Sequence, residues 1–211
     1  MPDTSPPQTD DARERAARAL RRFGHTLMER EADDELLRRV AEATERVTAE
    51  LAAAPPRSRD PEFLMRQFFP EHVEDGEQIV HFDECFVSGR WNPLGIGIDV
   101  WRDGEGVRAT VTLGAAFEGA PGRSHGGIVA AIFDDVMGYL LSVTRVPAFT
   151  GELTVRYLAP TPIGTELTFR SWLVHRDGRR MLIEADATAD GQRVATATAT
   201  FIEVDPSRYR T

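Results

Sequence analysis

Residues Phe117–Gly138 read FEGAPGRSHGGIVAAIFDDVMG. A Gly-rich loop runs into His125-Gly126-Gly127, and an apolar stretch of helical character follows. Glycines at a loop–helix junction let a ligand approach the backbone, where free N–H groups and the helix dipole favour negative charge. Asp134 stands in the middle of the apolar stretch, a costly place for a carboxylate unless something is gained from it. Together these features predict a site made of an anion-binding helix start and an acid aimed at the same ligand. His125 and Asp134 are nine positions apart, about 13 Å along one helix. One small reacting group cannot touch both from the same chain. Two such helices lying antiparallel about a twofold axis remove the difficulty. Gly126 of one chain then faces Asp134 of the other, giving equivalent sites in a homodimer. Gly127, Ala130, Ala131 and Gly138 surround Asp134 on the helix surface and permit that approach.

Outward from this helix, read as about 125–142, the pattern is strand-like. Segments 79–87, 96–102, 107–113, 148–159, 166–176, 180–189 and 192–204 are rich in β-branched and aromatic residues. Asp103-Gly104, Asp177-Gly178 and Asp190-Gly191 are hairpin signals between them. The expected class is α+β, an antiparallel sheet wrapped around a long central helix.

The first third differs. Residues 1–10 are polar and Pro-rich and read as a disordered tail. Residues 11–75 read as a helical extension, and 76–211 as the main domain. Ala16, Leu20, Phe23 and Leu27 predict one helix; Leu37, Val40, Thr44, Val47 and Leu51 predict a second, ended by Pro55-Pro56. Phe63, Leu64, Met65, Phe68 and Phe69 form an apolar knot before Pro70. Two readings stand for this extension: a helical wrap over the core sheet, or an added oligomer contact or lid.

Composition narrows the function. The 211 residues carry a net charge of −9 with no basic stripe, which argues against nucleic acid as a partner. All 25 basic residues are Arg. A lone cysteine, Cys85, excludes an internal disulfide framework and a Cys-based metal cluster, and fits the cytoplasm. No uninterrupted apolar run reaches the length of a membrane span, and residues 1–10 lack a signal-peptide core. There is no P-loop, dinucleotide fingerprint or His-x-x-x-His pair.

Gly-Ala-Pro-Gly-x-x-His-Gly-Gly, an acid nine residues after the His, the segment Thr150-Gly-Glu-Leu-Thr-Val-Arg-Tyr-Leu-Ala-Pro160 and the opening Asn92-Pro-Leu-Gly95 form a specific set. In these the chain resembles the PaaI-like acyl-CoA thioesterases of the hotdog-fold superfamily, over roughly 92–204. The resemblance implies a hotdog fold, a homodimer that often pairs into a homotetramer, an acyl-CoA substrate, and hydrolysis to free acid and CoA without a metal or cofactor. It selects Asp134 over Asp135 as general base or nucleophile, and gives Thr150 a part in orienting water or bonding Asp134. Many relatives carry Asn or Gln where this chain has Gly119, so polarization falls more heavily on Gly126 and His125.

Each residue also has a plainer role. Gly126, read as the oxyanion donor, also suits a tight turn. His125 either bonds the thioester carbonyl or orders the loop. Asp135 points about 100° away from Asp134, so one acid faces the ligand and the other meets solvent or a sheet partner. Gly127 is read as substrate-binding, and Val129, Ile132, Phe133 and Met137 with strand residues as the acyl-pocket lining, although apolar helix positions are core by default. Arg123 and Arg156 are read as contacts to CoA phosphates, with Arg179 and Arg180 further candidates by position. Two other functions remain: a non-catalytic acyl-CoA-binding or regulatory protein, and a hotdog dehydratase or hydratase.

Overall fold

The computed structural model describes residues 12–57, 73–80 and 82–205. The tail expected at 1–10 and the apolar knot at 63–70 lie outside them. Two helices come first, α1 (Ala12–Glu29) and α2 (Asp34–Ala52). Strands β1 (Asp99–Asp103) and β2 (Gly106–Thr112) follow, then a short 3-10 turn, Ala115–Phe117. A small hairpin, β3 (Glu118–Ala120) and β4 (Arg123–Ser124), leads into α3 (Gly126–Thr144). Four long strands close the chain: β5 (Ala148–Tyr157), β6 (Glu166–Asp177), β7 (Arg180–Ala189) and β8 (Gln192–Glu203). The main sheet is antiparallel, in the order β1-β2-β6-β7-β8-β5.

The sheet curls around α3 because its inner face is floored with small residues. Ala185 pairs with Ala197, Ala187 with Ala195, and Ile183 with Ala199, all buried. That floor leaves room for Ile132, Phe133, Val136, Met137 and Leu140 of α3, each 0% exposed. Phe133 meets Phe169 of β6 edge-on at 5.1 Å between centroids. Truncating Phe133 to Ala costs about 3–5 kcal/mol, and enlarging Ala187 overpacks the floor from the other side. By length and composition α3 is apolar enough to cross a membrane, but here it is the core helix of the sheet. The hairpin signals act as predicted. Asp190 and Gly191 both take positive φ, at 49° and 75°, the requirement of a two-residue type I′ connection.

Two expectations are corrected. The described residues of 79–87 form no strand: Ile79 N–H bonds Val100 O next to the isolated Gln78–Trp101 bridge, and residues 82–87 fold into turns. Cys85 N–H bonds Phe82 O, Gly89 N–H bonds Cys85 O, and Trp91 N–H bonds Asp83 O, at 2.8–3.0 Å. Asp83, Ser88-Gly89 and Asn92-Pro93 supply turn chemistry that outweighs the β-branched residues. The N-terminal helices also do not wrap the sheet. In α1 only Ala17 is buried, α2 has no buried residue, and Leu51 remains 70% exposed. The helices form through local propensity and the Asp33 cap, whose carboxylate accepts Leu36 N–H at 2.7 Å.

Candidate active site

The start of α3 is assembled by the small hairpin before it. Pro121-Gly122 turns the chain, with Gly122 at φ 72° and its N–H on Glu118 Oε1 at 2.9 Å. His125 is the N-cap of α3: its backbone is extended and its Nδ1 accepts the Gly127 N–H at 3.0 Å. With Nδ1 an acceptor, the neutral ring carries its proton on Nε2. The exposed ring therefore offers an N–H donor beside the helix start. The Gly127 amide is used by this cap, whereas the Gly126 amide has no hydrogen-bond partner among the described residues. It is one of the unpaired donors that every helix start presents.

Tyr157 pins this end of the helix by donating its hydroxyl to Gly126 O at 2.7 Å. A Cβ on residue 126 would stand 3.2 Å from the Tyr157 ring and hydroxyl, so glycine is what allows the approach. Gly119 lies against His125; a Cβ there would be 2.8 Å from the His125 Cα. This packing leaves no room for a side chain at 119 while the histidine keeps its place. An open cavity of about 460 Å³ lies beside these groups, lined among others by Gly119, Arg123, His125, Gly126, Val129 and Tyr157.

The acid lies two turns further on. Asp134 is exposed, and its Oδ1 accepts the Thr150 hydroxyl at 2.7 Å. Thr150 and Tyr157 are seven residues apart on β5, an odd spacing that points side chains to opposite faces of a regular strand. The pairing with β8 shifts between Thr150 and Glu152. This bulge at Gly151 changes the facing of the strand, so that Ala148 and Thr150 meet α3 on one side of it and Leu153, Val155 and Tyr157 on the other. A Cβ at 151 would lie 3.0 Å from Ile202 Cγ1. The Thr–Gly motif thus has a physical cause: it re-aims Thr150 at the acid.

Asp135 takes neither of the two places expected for it. It is half-buried against the 82–95 loop, where Cys85 Sγ donates to its Oδ1 at 3.2 Å and its buried Oδ2 has no partner among the described residues. Burial pushes the Asp135 carboxyl above the usual carboxylate range; bonds from Ser88 and Cys85 oppose this, and the Asp134 charge adds to it. Burial and the neighbouring Asp135 also raise the Cys85 thiol.

The structure thus brings His125, Gly126, Val129 and Arg123 together at one pole, and Asp134 and Thr150 at another. Ile132, Phe133 and Met137 are fully buried in the core and do not line the cavity. Arg156 alternates with Val155 and Tyr157 and so points from the opposite face of β5, away from α3. The Arg179 guanidinium is occupied by Glu203 O at 2.7 and 3.0 Å. Tyr157 was quoted in the sequence motif but given no role; its pinning contact depends on the bulge upstream. Among the described residues, no group of three or more His, Cys, Asp or Glu converges as metal ligands would.

Comparison with known proteins bears on the family and the fold. The family model of the Thioesterase superfamily matches residues 122–196, which hold α3 and most of the strands after it. A crystal structure of a thioesterase superfamily protein superposes with a TM-score of 0.77 at 30% identity, covering 95% of this chain and 94% of that one. The chain is also similar to the acyl-coenzyme A thioesterase THEM4 of Bos taurus, 26% identical over 147 residues, 67% of this chain and 60% of the relative. The Mus musculus protein of the same name is 29% identical over 106 residues, 48% of this chain and 46% of the relative. The chain therefore spans 60% or less of the length of these curated relatives.

Proposed function

Because the chain belongs to the thioesterase superfamily, we propose that it hydrolyses an acyl-CoA thioester to the free acid and CoA. The observation that carries this reading is the division of α3 into two poles on one face. An unpaired amide and an imidazole N–H stand at its start, and a hydrogen-bonded carboxylate stands eight residues on, about 12 Å away.

A twofold axis joins the poles of two copies. β5 is an outer strand of the sheet, with one side unpaired in the monomer. It runs beside α3 in the opposite direction, so Tyr157 meets Gly126 and Thr150 meets Asp134. The midpoint of each pair falls near Leu153–Thr154 on the strand and Ala130 on the helix. Rotation about an axis there pairs β5 with its copy and superposes each pole of one subunit on the opposite pole of the other.

In the resulting site the thioester carbonyl sits against the Gly126 amide and His125 Nε2–H. These donors are held by the fold before charge develops on the oxygen. Asp134, oriented by Thr150, takes a proton from water as the water oxygen bonds the carbonyl carbon. Collapse of the tetrahedral intermediate breaks the C–S bond, and the departing thiolate takes up the proton. Attack by Asp134 itself, followed by hydrolysis of the anhydride, uses the same placement. Arg123, on the cavity wall, is the cation placed for a CoA phosphate.

Thiol release from a panel of acyl-CoAs, with wild type and Asp134→Asn in parallel, tests the proposal. Turnover that collapses in the variant while the dimer persists supports it. Saturable binding of several esters without turnover rejects it in favour of a non-catalytic CoA-ester binder, and water addition to an enoyl thioester rejects it in favour of a hydratase.

A further inference from the structure

Helix α1 is tied to the loops beside it by polar side chains, among them Arg21 and His25, and buries only Ala17. Arg21 Nη1 donates to the carbonyls of Asn92 at 2.7 Å and Arg90 at 3.2 Å. One turn further, His25 Nδ1 accepts the Ala116 N–H at 3.1 Å. The His25 ring also meets Phe117 edge-on, with centroids 5.0 Å apart. Glycine at position 114 makes room for that ring: a Cβ there would lie 2.4 Å from His25 Nδ1.

The 3-10 turn that His25 grips is the segment that anchors the cap of α3. Phe117 O accepts the His125 backbone N–H at 2.8 Å. Glu118, the next residue, holds the Gly122 turn of the hairpin through its side chain. Hydrogen bonds therefore run from His25 to the 115–117 turn and from that turn to the residue that caps the helix. The His125 ring is exposed, and its direction is set by its own backbone and by the Gly127 N–H.

We propose that His25 is a positioning residue for the oxyanion-binding end of α3, so that the N-terminal helix forms part of the apparatus that aims His125 and the Gly126 amide. The kinetic part of this inference rests on the thioesterase reading; the structural part stands on the hydrogen bonds alone. Donors that stabilise a developing charge depend steeply on placement, and a displacement of about 1 Å costs about a hundredfold in rate. Loosening the turn by less than that acts on the transition state more than on ground-state binding.

The test uses the full chain with His25→Ala and His25→Asn. The Asn side-chain oxygen reaches the region occupied by Nδ1 and can accept the Ala116 N–H. Steady-state kinetics on CoA thioesters are measured beside amide hydrogen exchange and thermal stability. His25→Ala is expected to lower kcat about tenfold with KM within about twofold. It should speed exchange at the Ala116 and His125 amides while β6–β8 keep wild-type protection, and His25→Asn should recover most of both effects. A lower Tm with unchanged kcat and unchanged His125 exchange overturns the inference, leaving α1 a buttress. So does a His25→Asn variant that behaves like His25→Ala. If wild type turns over no thioester, the thioesterase reading fails by itself, and exchange at His125 still decides whether His25 positions the cap.

Discussion

At the start of α3 the donors beside the cavity are the free Gly126 backbone amide and the His125 ring, which the Gly127 N–H fixes. Two turns on, they are side chains, the Asp134 carboxylate and the Thr150 hydroxyl, and they lie exposed. The first pole is surrounded by its own chain, braced by Tyr157 and the β3–β4 hairpin. The second faces outward beside an unpaired strand edge. A group that stabilises charge must be rigid before the reaction, whereas a base needs only the right reach and a partner that orients it. Each pole meets one of these requirements, and in the proposed dimer a second subunit brings the two together.

The sharpest way to break this comparison is to disable one pole at a time. Asp134→Asn removes the base and is expected to lower kcat about a thousandfold. Gly126→Ala drives a Cβ toward Tyr157 and shifts the amide, with an expected loss of about a hundredfold. Mixing the two inactive variants under conditions that exchange subunits should restore about a quarter of wild-type activity. One site of each mixed dimer then keeps both Gly126 and Asp134, and random pairing makes about half the dimers mixed. No recovery in mixed dimers shown to have formed would mean that each site is built within one chain.

Smaller changes sharpen the same contrast. Thr150→Val keeps the shape of β5 but removes the bond to Asp134, and should cost about tenfold or more in kcat with little change in KM, since a hydrogen bond to a charged group is worth about 1.5–3 kcal/mol. Tyr157→Phe releases Gly126 O and should cost about threefold to fivefold, in line with a neutral bond worth about 1 kcal/mol. If the Tyr157 variant proved the more damaging of the two, the hydroxyl would contact substrate rather than pin the helix.

The sheet was legible because its signals are local. β6, β7 and β8 lie within a residue or two of their expected bounds, joined at Gly178-Arg179 and Asp190-Gly191, where glycine takes the positive φ a tight turn needs. The two-pole site was legible in outline, because helix rise alone separates His125 from Asp134. What escaped depends on contacts far apart in sequence. Segment 79–87 has strand composition, but residues 82–87 form turns and Cys85 reaches Asp135 of α3. The bulge at Gly151 is visible only once β8 is laid beside β5. Phe133 and Met137 carry the same apolar signature as Val129, yet the sheet encloses the first two and leaves the third at the cavity. The apolar stripes on α1 and α2 were periodic enough to predict helices, but periodicity does not say whether a face finds a partner in the same chain. His25 had no sequence signal at all; its contact needs Gly114 and Ala116 brought back beside α1.

The neighbour of the proposed base gives the smallest effect on turnover and a separate check on the assignment of the two acids. Asp135 has one oxygen buried without a partner among the described residues, and its carboxyl is held above the usual carboxylate range. The folded state therefore keeps the proton in a pH range where the unfolded chain gives it up. The stability this proton confers is complete below the ordinary carboxylate value near 4, and is lost as pH rises toward the raised folded value. Asp135→Asn keeps the oxygen that accepts from Cys85 and does not titrate. It should match wild type in thermal stability near pH 4 and exceed it by about 1–3 kcal/mol at pH 8, the cost of a buried, poorly partnered polar group. Its kcat should stay within about twofold of wild type. Loss of turnover here with Asp134→Asn active would reverse the roles of the two acids, because the groups that bond Asp135 come from the 82–95 loop and not from the strand that carries Thr150.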